Sequence, residues 1–181
     1  MGIGMTAKSI MTDTLVTVGT DITIAEALLL MSRHRVHNLP VVDKDGGFVG
    51  LLSLRRLTHE MLPTAAHVDE ANLHMDLGFL GDDSDEYLAR LQEIGARPVS
   101  DLLEKKKKLR FCSPDTPMPR LLQLLSENPT SLPVLVVEGE QNRVVGMVSN
   151  WDVLTKIAVR LLAPTTEALT HGESDGEQND G

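Results

Sequence analysis

Cysteine is nearly absent: Cys112 stands alone in 181 residues. A single thiol excludes a disulfide framework or a cysteine-built zinc site within one chain, and it fits a reducing compartment. Aromatic residues make up only 3%, too few for the stacking platforms that hold single-stranded nucleic acid. Positive charge is short as well: 17 Lys and Arg stand against 26 Asp and Glu, a net charge of −9. A chain of that sign repels duplex phosphate, so no nucleic-acid partner is expected. No apolar run approaches the ~18 residues of a membrane span, and no basic stretch leads into an apolar one as in a secretory signal. The expected location is therefore cytoplasmic. The opening Met1-Gly2-Ile3-Gly4-Met5-Thr6 fits the loose myristoylation pattern, but so short a match arises easily by chance. A core is well provided for, with 41% hydrophobic and 24% charged residues, which excludes wholesale disorder.

An internal repeat organises the chain. Asp21-Ile22-Thr23-Ile24 opens a stretch with apolar residues at Ile24, Ala27, Leu28 and Met31, and Asp115-Thr116-Pro117-Met118 opens another with Met118, Leu121, Leu122 and Leu125. Both spacings are i, i+3, i+4, i+7, one face of a helix. Thr23 with Glu26 makes a capping box, and Pro117 suits a first helical turn. After each helix the pattern predicts a Leu-Pro strand, Leu39–Val42 and Leu132–Val137, and then a polar turn over 43–47 and 138–142. A strand holding one glycine follows, Phe48–Leu52 and Val144–Val148, and a helix then starts on a serine, Ser53 and Ser149. A short β run precedes each unit, Leu15–Val18 and Leu109–Cys112. The order β-α-β-β-α thus occurs twice. One copy is near the lower size limit for independent stability, and its small sheet leaves an apolar face to bury. Packing that face against the other copy is the simplest solution. The expected fold is α/β (α+β), two such units about a pseudo-twofold axis.

The units span 6–62 and 99–162. The connection 63–98 is long, and its stretch 69–86 carries Asp69, Glu70, Asp76, Asp82, Asp83, Asp85 and Glu86 with no Lys or Arg. Connections of this length are uncommon in compact domains and are either functional or loose. Ser84, with Asp85 and Glu86 in the first turn, predicts a helix over 84–95 that Gly95 ends. Its apolar face would be Tyr87, Leu88, Leu91 and Ile94. Residues 164–181, acidic and ending Gly-rich, read as a disordered tail.

The Leu-Pro-Val strand, the glycine strand and the Ser-x-x-Asp that follows resemble the cystathionine β-synthase (CBS) domain, and two in tandem resemble a Bateman module. The resemblance implies a regulatory module rather than an enzyme, with no catalytic residues, no metal site and no required cofactor. It implies an adenosine ligand in the cleft between the repeats: AMP, ADP, ATP with or without Mg2+, or an S-adenosyl compound. It also implies a homodimer and a separate effector protein, an enzyme or a transporter. In the family one repeat supplies Gly-h-h-Ser/Thr-x-x-Asp, whose hydroxyl and helix start meet phosphate while the Asp holds the ribose hydroxyls. Gly146-Met147-Val148-Ser149-Asn150-Trp151-Asp152 matches that element fully. The other repeat would contribute Thr14, Leu15 and Val16 with His37, Asn38, Leu39 and Pro40, while Arg35 and Arg55 would reach the phosphates. The first repeat departs from the pattern, because Gly50-Leu51-Leu52-Ser53-Leu54-Arg55-Arg56 puts Arg56 where the Asp belongs. A guanidinium accepts no hydrogen bonds, so one competent and one impaired site are expected.

The chemistry suits these residue types. A helix start offers free N–H groups and partial positive charge to a phosphate, and a carboxylate accepts both vicinal hydroxyls of a ribose. The same residues admit plainer readings. Ser149 and Asp152 also form a capping arrangement, and Gly146 also permits close packing within a strand. His34-x-x-His37 lacks a nearby third ligand for zinc. Lys105–Lys108 reads as a solvated turn or as a local field that steers anions. Trp151 reads as a packing or dimer-contact residue. Cys112 has no activating partner in sequence, and no Walker or Rossmann phosphate loop occurs. The competing function is an interaction scaffold with both clefts filled by side chains, which Arg56 favours.

Overall fold

The structure, a computed structural model, describes residues 5–61, 84–128, 131–139 and 143–162. Its first sheet holds β1 (Val18–Gly19), β2 (Asn38–Val42) and β3 (Phe48–Ser53) in that order, and its second holds β4 (Arg110–Cys112), β5 (Val134–Glu138) and β6 (Arg143–Val148). In each sheet the first pair is parallel and the second antiparallel. Even the ladder irregularities match, falling between Val41 and Val42 and between Val136 and Val137. In both cases the first valine lies opposite the strand glycine, Val41 against Gly50 and Val136 against Gly146. The helices are α1 (Ala7–Ile10), α2 (Ile24–His34), α3 (Leu54–Met61), α4 (Ser84–Ala96), α5 (Met118–Ser126) and α6 (Asn150–Leu162). The repeated β-α-β-β-α order is therefore present twice.

Local chemistry accounts for the element ends. The Thr23 N–H donates to Glu26 Oε2 at 2.8 Å and the Glu26 N–H donates to Thr23 Oγ1 at 3.2 Å, the expected capping box at the start of α2. Pro117 precedes α5 as its cap residue rather than sitting in the first turn. In the β2–β3 turn, Asp43 Oδ1 accepts the N–H groups of Asp45 and Gly47, and Gly46 takes a φ of 81° that other residues resist.

Three expectations need correction. First, β1 begins only at Val18, so Leu15 and Val16 lie in the loop before it. β1 pairs with Val41 and Val42 and stops short of Pro40, a residue with no N–H to give a ladder. Second, the two Leu-Pro pairs are not equivalent: Pro40 lies inside β2 opposite Leu51, whereas Pro133 precedes β5. Third, α4 runs through Gly95 to Ala96. Gly95 lies against α2 there, and a Cβ at that position would stand 3.4 Å from the Ala25 methyl, an ordinary contact distance. Tyr87 and Leu88 remain exposed, and Ile94 is the buried member of the expected apolar face. The end of α4 is fastened to the first repeat through Arg97, which pairs with Glu60 at 3.1 Å and also with Asp101 of the following turn at 3.4 Å. Tyr87 Oη donates to the Met61 carbonyl at 3.1 Å. The proposed tail and most of the acidic connection fall outside the described residues.

Neither repeat completes its own core. Ala7 and Ile10 of α1 are buried with Leu121, Leu125 and Val153 of the second repeat. Val99 and Leu102, in the short 3-10 turn that opens the second repeat, are buried with Ile24, Leu52 and Leu57 of the first. Each lead-in segment thus docks on the other copy. A third cluster, Leu51, Leu109, Leu132 and Leu135, joins the sheets. Phe48 and Phe111 meet edge to face beside it, with ring centroids 5.9 Å apart.

Candidate functional site

The matching element of the second repeat runs from β6 into the start of α6, where Gly146 is buried because a lead-in segment crosses it. Thr12 pairs with Met147 through both its N–H, at 2.9 Å, and its C=O, at 3.0 Å. That ladder lays Met11 over Gly146, where a Cβ would stand 2.8 Å from Met11 Cγ. Three residues on, Ser149 and Asp152 close around one another. Asp152 Oδ2 accepts the Ser149 N–H at 2.7 Å and the Ser149 hydroxyl at 2.5 Å, and Ser149 Oγ accepts the Asp152 N–H at 3.2 Å. Asp152 Oδ1 accepts the Thr12 hydroxyl at 3.1 Å, a bond across 140 residues of sequence. The carboxylate is therefore half-buried at the seam between repeats. It caps its own helix and holds the incoming segment at once. The carboxylate is thus supplied with three donors, and the exposed Thr12 hydroxyl is the one of them that takes no part in capping α6.

The equivalent corner of the first repeat is built from the same parts with the charge relocated. Leu103 crosses Gly50 as Met11 crosses Gly146, and the Glu104 N–H donates to the Leu51 carbonyl at 2.8 Å. Ser53 Oγ accepts the Arg56 N–H at 3.0 Å, so Ser53 caps α3. The Ser53 hydroxyl donates to Glu104 Oε1 at 2.5 Å. Thr12 and Glu104 occupy matching places, six residues ahead of β1 and β4 respectively. The helix position that holds Asp152 in one repeat holds Arg56 in the other, and the Arg56 guanidinium leans toward Glu60 at 4.0 Å. The acid missing from α3 is thus supplied by the lead-in segment.

The remaining expected residues are spread around this seam. Thr14 is exposed and its hydroxyl donates to Asp13 at 3.3 Å. Leu15 and Val16 are half-buried in the loop before β1, and Val16 packs on the first core. His37 is exposed, and its carbonyl accepts the Leu54 N–H at 2.7 Å. Asn38 is half-buried in β2, while Leu39 is wholly buried in the first core and Pro40 is buried beside it. Leu39 presents no surface to a ligand here, because its side chain is packed within the first core. Arg35 and Arg55 are exposed, Arg35 in a left-handed conformation that ends α2. Sequence reasoning passed over Met11, Thr12, Leu103 and Glu104. Their signal is a second repeated pattern, Ala7-x-x-Ile10-Met11-Thr12 and Val99-x-x-Leu102-Leu103-Glu104, which aligns only when the lead-ins are counted with the repeats.

Among the described residues there is no group of three or more His, Cys, Asp or Glu placed to hold a metal ion, and no helix long and apolar enough to cross a membrane. One helix face is open. Trp151, Leu154 and Leu161 are 73%, 56% and 79% exposed along α6 at spacings that keep them on one side.

A family profile described as "CBS domain" matches residues 7–63 and 99–159. A "CBS domain-containing protein" of Dictyostelium discoideum is 28% identical over 158 residues, 87% of this chain and 93% of its own. Among solved structures, the CBS domain pair of protein MJ0100, in complex with 5'-methylthioadenosine and S-adenosyl-L-methionine, superposes with a TM-score of 0.60 at 20% identity, covering 87% of this chain and 98% of that one. CBSX2, a CBS-pair protein of Arabidopsis thaliana solved in complex with AMP, gives 0.61 at 19% identity over 87% and 98% of the two chains.

Proposed function

The chain belongs to the CBS domain family as a tandem pair, and from that premise we propose that it is a regulatory, non-catalytic module that binds an adenosine ligand in the cleft served by the second repeat. The observation that carries this reading is the place of Asp152. It stands one turn into α6 behind Ser149, half-buried, with Oδ1 turned to a residue of the other half. A ribose diol exchanges two charge-assisted bonds for the single Thr12 bond, and a phosphate would take the N–H groups at the start of α6. The ligand class is AMP, ADP, ATP with or without Mg2+, or an S-adenosyl compound, in keeping with what the two structural neighbours hold. Arg35 and Arg55, both exposed, are the cations available to phosphates, and Thr14 and His37 the exposed polar neighbours.

A ligand shifts conformation only through different affinities for two states. Here the two states differ at the Thr12–Asp152 bond. Releasing it loosens the lead-in segment that carries α1, and a partner protein, an enzyme or transporter in the cytoplasm, reads that change. The open face of α6, with Trp151, Leu154 and Leu161, suits a second copy of the chain, so the working form is a homodimer.

The experiment is thermal melting with AMP, ATP and S-adenosylmethionine in turn. The correct ligand raises the melting temperature, Asp152→Ala removes the rise and Arg56→Ala leaves it. A second reading, an interaction scaffold without ligand, is favoured by the capped state of Asp152 and by the buried Glu104 at the first corner. No rise with any of the three ligands would select it.

A further inference from the structure

We infer that Glu104 is a built-in occupant of the anion position at the first repeat's helix start. It closes that corner to exogenous anions and pins the two repeats together there. Glu104 is 5% exposed and Ser53 2%, and the carboxylate belongs to the segment leading into the other repeat. It lies against the capping hydroxyl of α3, where the helix dipole favours negative charge, while the Leu54 and Arg56 N–H groups of that turn are taken by the His37 carbonyl and by Ser53 Oγ. Its place is fixed twice over, by the Glu104 N–H on the Leu51 carbonyl at 2.8 Å and by Leu103 seated on Gly50.

The comparison with the second repeat separates this from ordinary packing. There the lead-in residue is Thr12, neutral and exposed, and the acid is carried on the helix as Asp152. At the first corner the helix carries Arg56, and the negative charge arrives from outside the repeat, buried. At both corners a carboxylate takes the capping hydroxyl at 2.5 Å, Asp152 on Ser149 and Glu104 on Ser53; the first differs in that its acid is buried, comes from the other half and itself fills the lead-in position. The first corner thus behaves as a site permanently filled by the chain itself. The second, with Thr12 as an exchangeable partner, is the one left to respond. The inference does not depend on the adenosine reading, because its test uses simple anions.

The test is chemical rescue. Glu104→Ala is expected to melt below the wild-type chain. Sodium acetate or inorganic phosphate should then restore at least half of the lost melting temperature in a saturable way, beyond the effect of sodium chloride at matched ionic strength. The rescue is read as the excess over the wild-type chain's own response to each salt, because the start of α6 also offers phosphate a place, and Ser53→Ala/Glu104→Ala should not be rescued. Equal responses of Glu104→Ala to all three salts, or rescue that survives loss of Ser53, would overturn the inference. Should Glu104→Ala fail to fold, Glu104→Gln keeps the side-chain shape and removes the charge. It is expected to melt lower than wild type, and Ser53→Ala/Glu104→Gln is expected to melt no lower than Ser53→Ala alone. Simple addition of the two losses would overturn the inference.

Discussion

Replacing Asp152 by Ala tests both halves of its role. The substitution removes the acceptor of three hydrogen bonds, two from Ser149 and one from Thr12. Loss of the carboxylate from the first turn of α6, which leaves the bond from the residue-152 N–H to Ser149 Oγ in place, costs up to about 1 kcal/mol. The Thr12 bond is charge-assisted but partly in solvent, so it contributes about 1 kcal/mol, below the range for buried charged bonds. Together the change is up to about 2 kcal/mol, and a domain of this size melts several degrees lower for each kcal/mol lost. The assay is circular-dichroism melting, with urea titration to check that the unfolding slope is unchanged. Thr12→Ala separates the two contributions, costing about 1 kcal/mol without uncapping α6. If a ribose displaces the Thr12 hydroxyl, Thr12→Ala keeps or improves the ligand-induced rise that Asp152→Ala abolishes. A ligand at 100 times its Kd adds about 2.7 kcal/mol, so its loss is easily read. An Asp152→Ala chain that melts like wild type, or still gains stability from the ligand, would refute the reasoning.

Gly146→Ala places a Cβ 2.8 Å from Met11 Cγ, so it should lower stability by about 1–3 kcal/mol, and adding Met11→Ala should recover part of that in the same melting assay. Cys112 is half-buried, and desolvation raises its thiol pKa above the ordinary 9.0, with the Thr116 hydroxyl opposing. Folded protein should therefore react with iodoacetamide at pH 8 more slowly than urea-unfolded protein. The sign for stability follows: the unfolded thiol ionises first, so this group's contribution is full below pH 9.0 and falls as pH rises above it. Leu154 is 56% exposed, so Leu154→Asp should leave the melting temperature nearly unchanged while weakening self-association in sedimentation velocity. A wild-type chain that sediments as a monomer at micromolar concentration would remove the dimer.

Much of the architecture was legible in the residues. The paired i, i+3, i+4, i+7 faces, the Thr23–Glu26 box and the one glycine in each second strand are local signals with local causes, and they lie where expected except for Leu122, which is 43% exposed while Leu124 takes the buried place on α5. The helix over 84–95 was legible too, but its end was not. Gly95 looks like a terminator in isolation, but the helix runs on past it to Ala96, where its packing against Ala25 of α2 lies outside any local pattern. The shortness of β1 was equally hidden, because Leu15 and Val16 carry β propensity while the neighbouring strand has Pro40 beyond the reach of the ladder.

The candidate site divides along the same line. Ser149 and Asp152, and the Arg56 that breaks the symmetry, are readable because the helix start and its third residue are neighbours in the chain. What those side chains do was decided by segments far away in sequence. Thr12 reaches Asp152 over 140 residues, and Glu104 reaches Ser53 over 51. Periodicity and capping are short-range effects that a linear pattern records directly. The charge balance at each corner depends on which lead-in segment crosses which glycine, and that is settled only when two incomplete cores bury their apolar faces against each other.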